Sequence, residues 1–275
     1  MSPCRWSPQT RSGAPSCCSD ARPRCPFGTA RHKPRMSVVA RTPDHVLAAE
    51  REQLLTMVDI LESLPPGEVR ALAQCSAFTR LEARDAVLVA PEEHKDRLLL
   101  LLEGRARVYE GPAGRELTVS LVEGGTLVGA TGFASCRLGR LRVEFLEPSI
   151  ICGVRRQAFE ELVGRNPTLG SRVARLLAER LIETEGRLAD LARKEVPERL
   201  ASQILRLLES EGLVTSEGYK IPTRYTHQQL ATMIGANREA VIRAFGRLRL
   251  EGGVELRNRR VFVTDLDTLK RTAQG

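Results

Sequence analysis

The stretch from Thr226 to Gly253, THQQLATMIGANREAVIRAFGRLRLEGG, constrains the fold more than any other part of the chain. It reads as two helices hinged at Gly235. Thr226 and Asn237 stand where a side-chain oxygen caps a first helical turn. Ala231 offers a small contact for two helices that cross closely, and Gly235 gives the backbone freedom that a tight inter-helix turn needs. Val241, Ala244, Phe245 and Leu248 recur at steps of three and four, which predicts the buried face of the second helix. Arg238, Glu239, Arg243 and Arg247 then share its open face.

The next residues give that open face a meaning. Gly252-Gly253 ends the second helix, and Val254–Leu256 and Val261–Val263 read as strands. The tip between them, Arg257-Asn258-Arg259-Arg260, is basic. Helices flanked by such a hairpin make a winged helix-turn-helix, predicted over residues 196–275. Its arginines can pair with guanine edges or phosphates, and Glu239 can accept from a cytosine amino group, all within a major groove. The plain alternative is a solvated face with a Glu239–Arg243 pair one turn apart. The A-x3-G-x5-V spacing, the two caps and the basic tip together favour the nucleic-acid face.

Charge is distributed accordingly. The formal net charge is +8, but residues 224–260 hold eight Arg against three Glu, a net of +5. Residues 1–35 hold seven Lys/Arg against Asp20, a net of +6, which leaves residues 36–223 faintly acidic at −3. A basic C-terminal segment on an acidic body predicts a local polyanion site. Residues 1–35 also carry four of the seven cysteines, six of the fifteen prolines and the one tryptophan, without helical or strand period. They read as a disordered tail, with translation expected to start at Met36. Cys17-Cys18-x6-Cys25 matches no defensible spacing for an iron–sulfur cluster. Cys75, Cys136 and Cys152 read as small core residues.

Residues 36–165 predict a domain of N-terminal helices followed by a small β-roll, which the resemblance given below implies is a sensor domain. A helix is expected from Pro43-Asp44 to about Ser63, and a second from Gly67 to about Cys75. Short β-rich runs follow from Ala86 to about Gly153, broken by turns such as Gly111-Pro-Ala-Gly114; strands every ten or so residues indicate a small barrel or roll. From Pro167 to about Lys194 the period becomes helical, with Asn166 as the expected cap. Gly170, Ala174, Leu177, Leu181, Thr184, Leu188 and Leu191 alternate at steps of four and three, a coiled-coil seam. Leu169, Val173 and Leu176 form a second row suited to pack on the roll. A helix with two apolar faces, over residues 166–195, predicts a two-fold dimer.

These features together resemble the CRP/FNR superfamily of bacterial transcription regulators, in which R-E-x-V-x-R opens the recognition helix, here Arg238 to Arg243. The resemblance runs over roughly residues 45–270 and includes Asn166-Pro167 at the start of the dimer helix and Val196-Pro-Glu-Arg-Leu200 at the hinge. It implies an α+β fold: an N-terminal β-roll (cyclic-nucleotide-binding-like, a double-stranded β-helix), a long dimerisation helix and a C-terminal winged helix-turn-helix. It also implies a cytoplasmic homodimer on a pseudo-palindromic double-stranded operator, in contact with RNA polymerase. Arg238, Glu239 and Arg243 would read bases. Thr226, His227 and the wing arginines Arg257, Arg259 and Arg260 would lie nearer phosphates, and Asn237 and Arg247 complete the expected DNA-binding set.

The resemblance also locates an effector site, at Gly129, Ala130, Arg140 and Thr184. Relatives that bind cyclic AMP use a G-E-L-G-like turn whose Glu holds the ribose, followed by an Arg-Ser pair for the phosphate. Here Gly129-Ala-Thr-Gly132 places Ala130 where the Glu would stand. Two alignments place either Arg140 or Gly139 at the phosphate position. Strand alternation through Leu141, Val143 and Phe145 selects Gly139 and turns Arg140 outward. A desolvated phosphate without a cation binds poorly. The residues therefore predict no cofactor and disfavour cyclic AMP, so that the roll senses something else or the dimer acts without effector. An enzyme is disfavoured too: the four histidines are scattered, and GGTLVGATG lacks the Lys-Ser/Thr of a phosphate-binding loop. No run of about 18 apolar residues predicts a membrane span.

Overall fold

The computed structural model describes residues 48–83, 86–88, 97–112, 115–128, 141–258 and 260–275. The N-terminal tail, Cys136, the expected cassette (129–140) and Arg259 lie outside them.

Helix α1 (Ala48–Thr56) stops earlier than its apolar pattern suggests, and the expected single helix to Ser63 is not formed. Val58 is extended and a 3-10 turn spans Asp59–Leu61. The roll captures this backbone: Asp59 N donates to Gly125 O, and the Arg172 guanidinium donates to Asp59 O. Helix α2 (Pro66–Cys75) begins at its proline. Cys75 is exposed rather than in the core, because it falls on the outer side of that helix; Cys152 is buried.

Among the described residues, eight strands of the roll form two antiparallel four-stranded sheets. They are β1 (Ala77–Leu81), β2 (Ala86–Leu88), β3 (Arg97–Glu103), β4 (Arg105–Glu110), β5 (Leu117–Glu123), β6 (Thr126–Val128), β7 (Arg142–Phe145) and β8 (Ser149–Arg155). The sheet orders are β1-β8-β3-β6 and β2-β7-β4-β5. The first sheet is covered on both faces, which is why RLLLLLE and SIICGV read as unbroken apolar runs. Leu98, Leu100, Leu102, Cys152 and Val154 pack outward under the helices. Leu101 and Ile151 pack inward with Ala106, Val108, Val143 and Phe145 of the second sheet. Strand β1 has no counterpart in the sequence reading, since its five residues alternate too briefly to stand out, but it pairs fully with β8.

Helix α3 (Arg156–Arg165) leads to α4 (Pro167–Arg193), whose N-terminal half lies on the roll through buried Leu169 and Val173 and half-buried Leu176. Leu177, expected in the open seam, is drawn half into that same core. Asn166 caps α4 by position only: its amide donates to Glu68 and to Leu162 O instead. Further along, Arg180 and Arg187 of α4 donate to the carbonyls of Leu127 and Val119 in the roll, while Leu181, Ile182, Leu188 and Leu191 stay 58, 68, 66 and 39% exposed. Among the described residues no helix is long and apolar enough to cross a membrane.

The C-terminal head comprises α5 (Val196–Glu211), α6 (His227–Met233), α7 (Arg238–Leu250) and α8 (Leu266–Gln274). Its sheet has the order β11-β12-β10-β9, from β9 (Leu213–Thr215), β10 (Gly218–Lys220), β11 (Val254–Arg257) and β12 (Arg260–Val263). Its core is separate, built on Leu200, Ile204, Leu230, Val241, Phe245, Leu248, Val261 and Leu269. Helix α8 was not anticipated, although Asp265 caps it by accepting from the amides of Asp267 and Thr268, each at 3.0 Å.

Candidate nucleic-acid interface

Helix α6 starts at a capping box. Thr226 Oγ1 accepts from Gln229 N at 3.1 Å while Gln229 Oε1 accepts from Thr226 N at 2.9 Å. The turn then takes Gly235 into the left-handed region, φ +60°, and a Cβ there would lie 2.9 Å from Leu191 of α4. Ala236 N closes it by donating to Ala231 O, with Ala231 fully buried beneath the crossing. Asn237 Oδ1 accepts from Ala240 N at 2.8 Å and starts α7.

Val241, Ala244, Phe245 and Leu248 are buried as their spacing predicts, so the remaining arc of α7 faces outward. Arg238, Glu239 and Arg243 are exposed, and no salt bridge or side-chain hydrogen bond engages them among the described residues. Glu239 and Arg243 in particular are not paired, against the solvated-face alternative. Three charged groups held on a rigid, doubly capped helix without internal partners remain free to bond a ligand. Ile242, exposed on the same arc between Arg238 and Arg243, was passed over in the sequence. Its signal was available: an isoleucine off the three–four apolar row must point outward.

The other expected contacts are less open. Arg247 pairs with Glu251 one turn on, at 3.0 Å. Arg257 lies between Glu255 and Glu217 and stacks over Phe262, while Arg260 donates through Nε to Pro222 O at 2.9 Å. These two are strand partners that brace the wing, so the tip itself is shorter than expected and contains Asn258 at positive φ. His227 is half-buried with its ring 5.6 Å from that of Phe245. Burial first, and Arg238 second, hold its imidazole below the usual histidine range, which keeps it neutral near pH 7.

Of the expected effector residues, Gly129, Ala130 and Arg140 lie outside the described residues. Thr184 is exposed on α4, and its hydroxyl donates to Arg180 O of its own helix. Among the described residues no group of three His, Cys, Asp or Glu is placed to hold a metal ion.

Residues 198–272 match the Crp-like helix-turn-helix domain and residues 80–166 match the cyclic nucleotide-binding domain. The global nitrogen regulator of Nostoc sp. (strain PCC 7120) is 30% identical over 195 residues, covering 68% of this chain and 86% of that relative. The chain belongs to the CRP/FNR superfamily. It is a DNA-binding transcription regulator of that type. A CRP-like cAMP-activated global transcriptional regulator of Mycobacterium tuberculosis is 24% identical over 224 residues, 81% of this chain and all of that protein. Among solved structures, a CRP-family transcriptional regulator from Thermus thermophilus superposes with a TM-score of 0.61 at 26% identity, covering 72% of this chain and 97% of that one. A CooA mutant from Carboxydothermus hydrogenoformans shares the fold at a TM-score of 0.64 and 19% identity, over 86% of this chain and 100% of that one.

Proposed function

We propose that the protein is a homodimer that reads a two-fold-symmetric operator, with one α7 in each of two successive major grooves. The observation that carries this is the unpaired triad Arg238, Glu239 and Arg243 on the exposed arc of a capped helix. Arg238 and Arg243 donate to guanine edges, Glu239 accepts from cytosine, and Ile242 lies against a thymine methyl. Thr226, His227, Asn237, Arg247 and the wing arginines Arg257, Arg259 and Arg260 serve the phosphates, the braced wing acting as a fixed shoulder. Two α4 helices join through Ala174, Leu181, Thr184, Leu188 and Leu191, with Leu177 at the roll end of the seam. Bound at a promoter, the dimer meets RNA polymerase.

The roll works without cyclic AMP, because Ala130 lacks the acceptor and Gly139 the cation that a cyclic phosphate needs. Either another ligand occupies it or the dimer is constitutively competent.

Selection of bound duplexes from a randomised pool tests all of this in one format. Arg243→Ala weakens specific binding by about 1–3 kcal/mol and relaxes one base position in each half-site. Ile242→Gly relaxes a neighbouring thymine, and cyclic AMP leaves the selected sequence unchanged. A selected sequence unaffected by Arg243→Ala defeats the assigned role, and one that appears only with cyclic AMP defeats the reading of the roll.

A further inference from the structure

Strand β4 sends two alternate arginines, Arg105 and Arg107, out of the roll, the first partly buried and the second fully so. Arg107 is 5% exposed. Two carboxylates of the roll grip it, Glu144 through Nε and Glu116 through Nη2 at 3.1 Å. Its remaining Nη1 donates at 3.0 Å to the hydroxyl of Thr232, which belongs to α6 of the head. Thr232 is itself buried, lies 2.9 Å from Thr118 Oγ1 of β5, and donates to Gln229 O at 2.7 Å.

Arg105 makes a second tether. Its guanidinium pairs with Glu211 of α5 at 2.6 Å and also bonds Thr223. Glu211 is buried, and it accepts from Tyr225 Oη at 2.6 Å and from Thr223 as well. Leu121 and Leu146 of the roll pack on the head core beside these groups. Strand β5 is touched from a third side, since Arg187 of α4 donates to Val119 O at 2.9 Å.

We infer that Arg105 and Arg107 are positioning residues: beside the direct Asp190–Arg206 pair between α4 and α5, they fix the attitude of the reading head relative to the roll on which α4 lies, and through it the half-site spacing that the dimer accepts. The inference rests on the dimeric reading proposed above. Its physical basis is the directionality of the joint. Apolar contact tolerates sliding, whereas a guanidinium whose other nitrogens are already held offers one fixed direction to Thr232. Both tethers spring from one face of one strand, so the head cannot tilt without breaking a charged, buried bond.

The test measures affinity of the full chain for a series of duplexes carrying two selected half-sites separated by the preferred spacer or by one or two base pairs more or fewer. The wild type favours one spacer. Thr232→Val keeps the shape of the side chain and deletes the acceptor. It lowers the preference for that spacer about tenfold, the effect of one lost charge-assisted hydrogen bond, while base preference within each half-site stays as it was. Thr232→Ser restores the wild-type profile. Should Thr232→Val melt early, Thr118→Val breaks the same joint from the roll side, removing the bond to Thr232 and the second acceptor of Arg107 Nη1 at 3.4 Å. A spacer profile unchanged in both valine variants overturns the inference, and so does loss of all binding by both, which would make the joint a folding element. A wild type with no spacer preference at all defeats the dimeric reading itself, a result distinguishable from either.

Discussion

Leu188 lies two-thirds exposed on the free half of α4, with Leu181 and Ile182 close to it in exposure. Full burial of a leucine is worth about 1.5–3 kcal/mol, so covering the two-thirds still open is worth about 1–2 kcal/mol. A two-fold seam counts that residue twice. Leu188→Ala should therefore weaken the dimer by about 2–4 kcal/mol, or thirtyfold to nearly a thousandfold in Kd. Leu177 provides the contrast, because it is half-buried against the roll. Leu177→Ala should lower the melting temperature of the protomer more than it shifts the dimer.

Sedimentation equilibrium over a wide concentration range gives the dimer Kd directly. The specific DNA complex offers an independent reading, since a weaker dimer makes operator binding steeper in protein concentration. A change of less than about threefold in the dimer constant for Leu188→Ala would refute the assignment of this stripe to the seam. So would a wild type that stays monomeric at concentrations where it binds its operator. Either result would leave the exposed leucines to be covered by something other than a second copy.

Two further predictions concern the head. Asn237→Ala removes the side-chain oxygen that accepts from Ala240 N, and should cost about 1 kcal/mol, or about 4–8 °C in the melting temperature of a domain this size; an unchanged melt would deny the cap its role. His227 is held neutral by burial and then by Arg238, so its folded pKa lies below its unfolded one. Its contribution is present above the ordinary histidine range and is lost as pH falls from there through the depressed value, because the unfolded chain takes up the proton first. His227→Gln should accordingly narrow the gap between melting temperatures at pH 7.5 and pH 5.5, and an undiminished gap would place the acid sensitivity elsewhere.

The parts of this protein that were legible in the sequence are those whose physics is local. Caps at Thr226 and Asn237, the left-handed turn at Gly235 and the three–four row through Val241 and Leu248 involve neighbours within one or two turns, and each formed as expected. The row Leu169, Val173 and Leu176 was equally plain. Where the reading failed, a distant partner had intervened. The helix meant to reach Ser63 is cut short because Asp59 bonds Gly125, and Asn166 is drawn away from capping by Glu68. Arg257 of the wing is held both by Glu255 beside it and by Glu217, forty residues upstream, and only the second is hidden from a local reading. Arg105 and Arg107 alternate along one strand and share its outer face. Nothing near them in sequence reveals that their outer face is roofed by α6.

That roof explains why the joint is polar at all. A buried ion pair is offset by the desolvation of both partners, so it adds little net stability compared with an apolar contact of the same size. Each half of the molecule has its own core, one built on Phe159 and Leu169 and the other on Leu200 and Phe245. What charged groups add is orientation, because misalignment leaves a buried charge uncompensated and is penalised far more steeply than a shifted methyl group. Strand β5 sits at the centre of this arrangement. Thr118 faces the reading head through Thr232, and the adjacent carbonyl of Val119 accepts from Arg187 of α4. A displacement of the β4–β5 hairpin by any event inside the roll must move a contact to the helix of the seam and a contact to the helix-turn-helix together. Strand β5 is thus one of two routes between roll and head, beside the direct Asp190–Arg206 pair that joins α4 to α5.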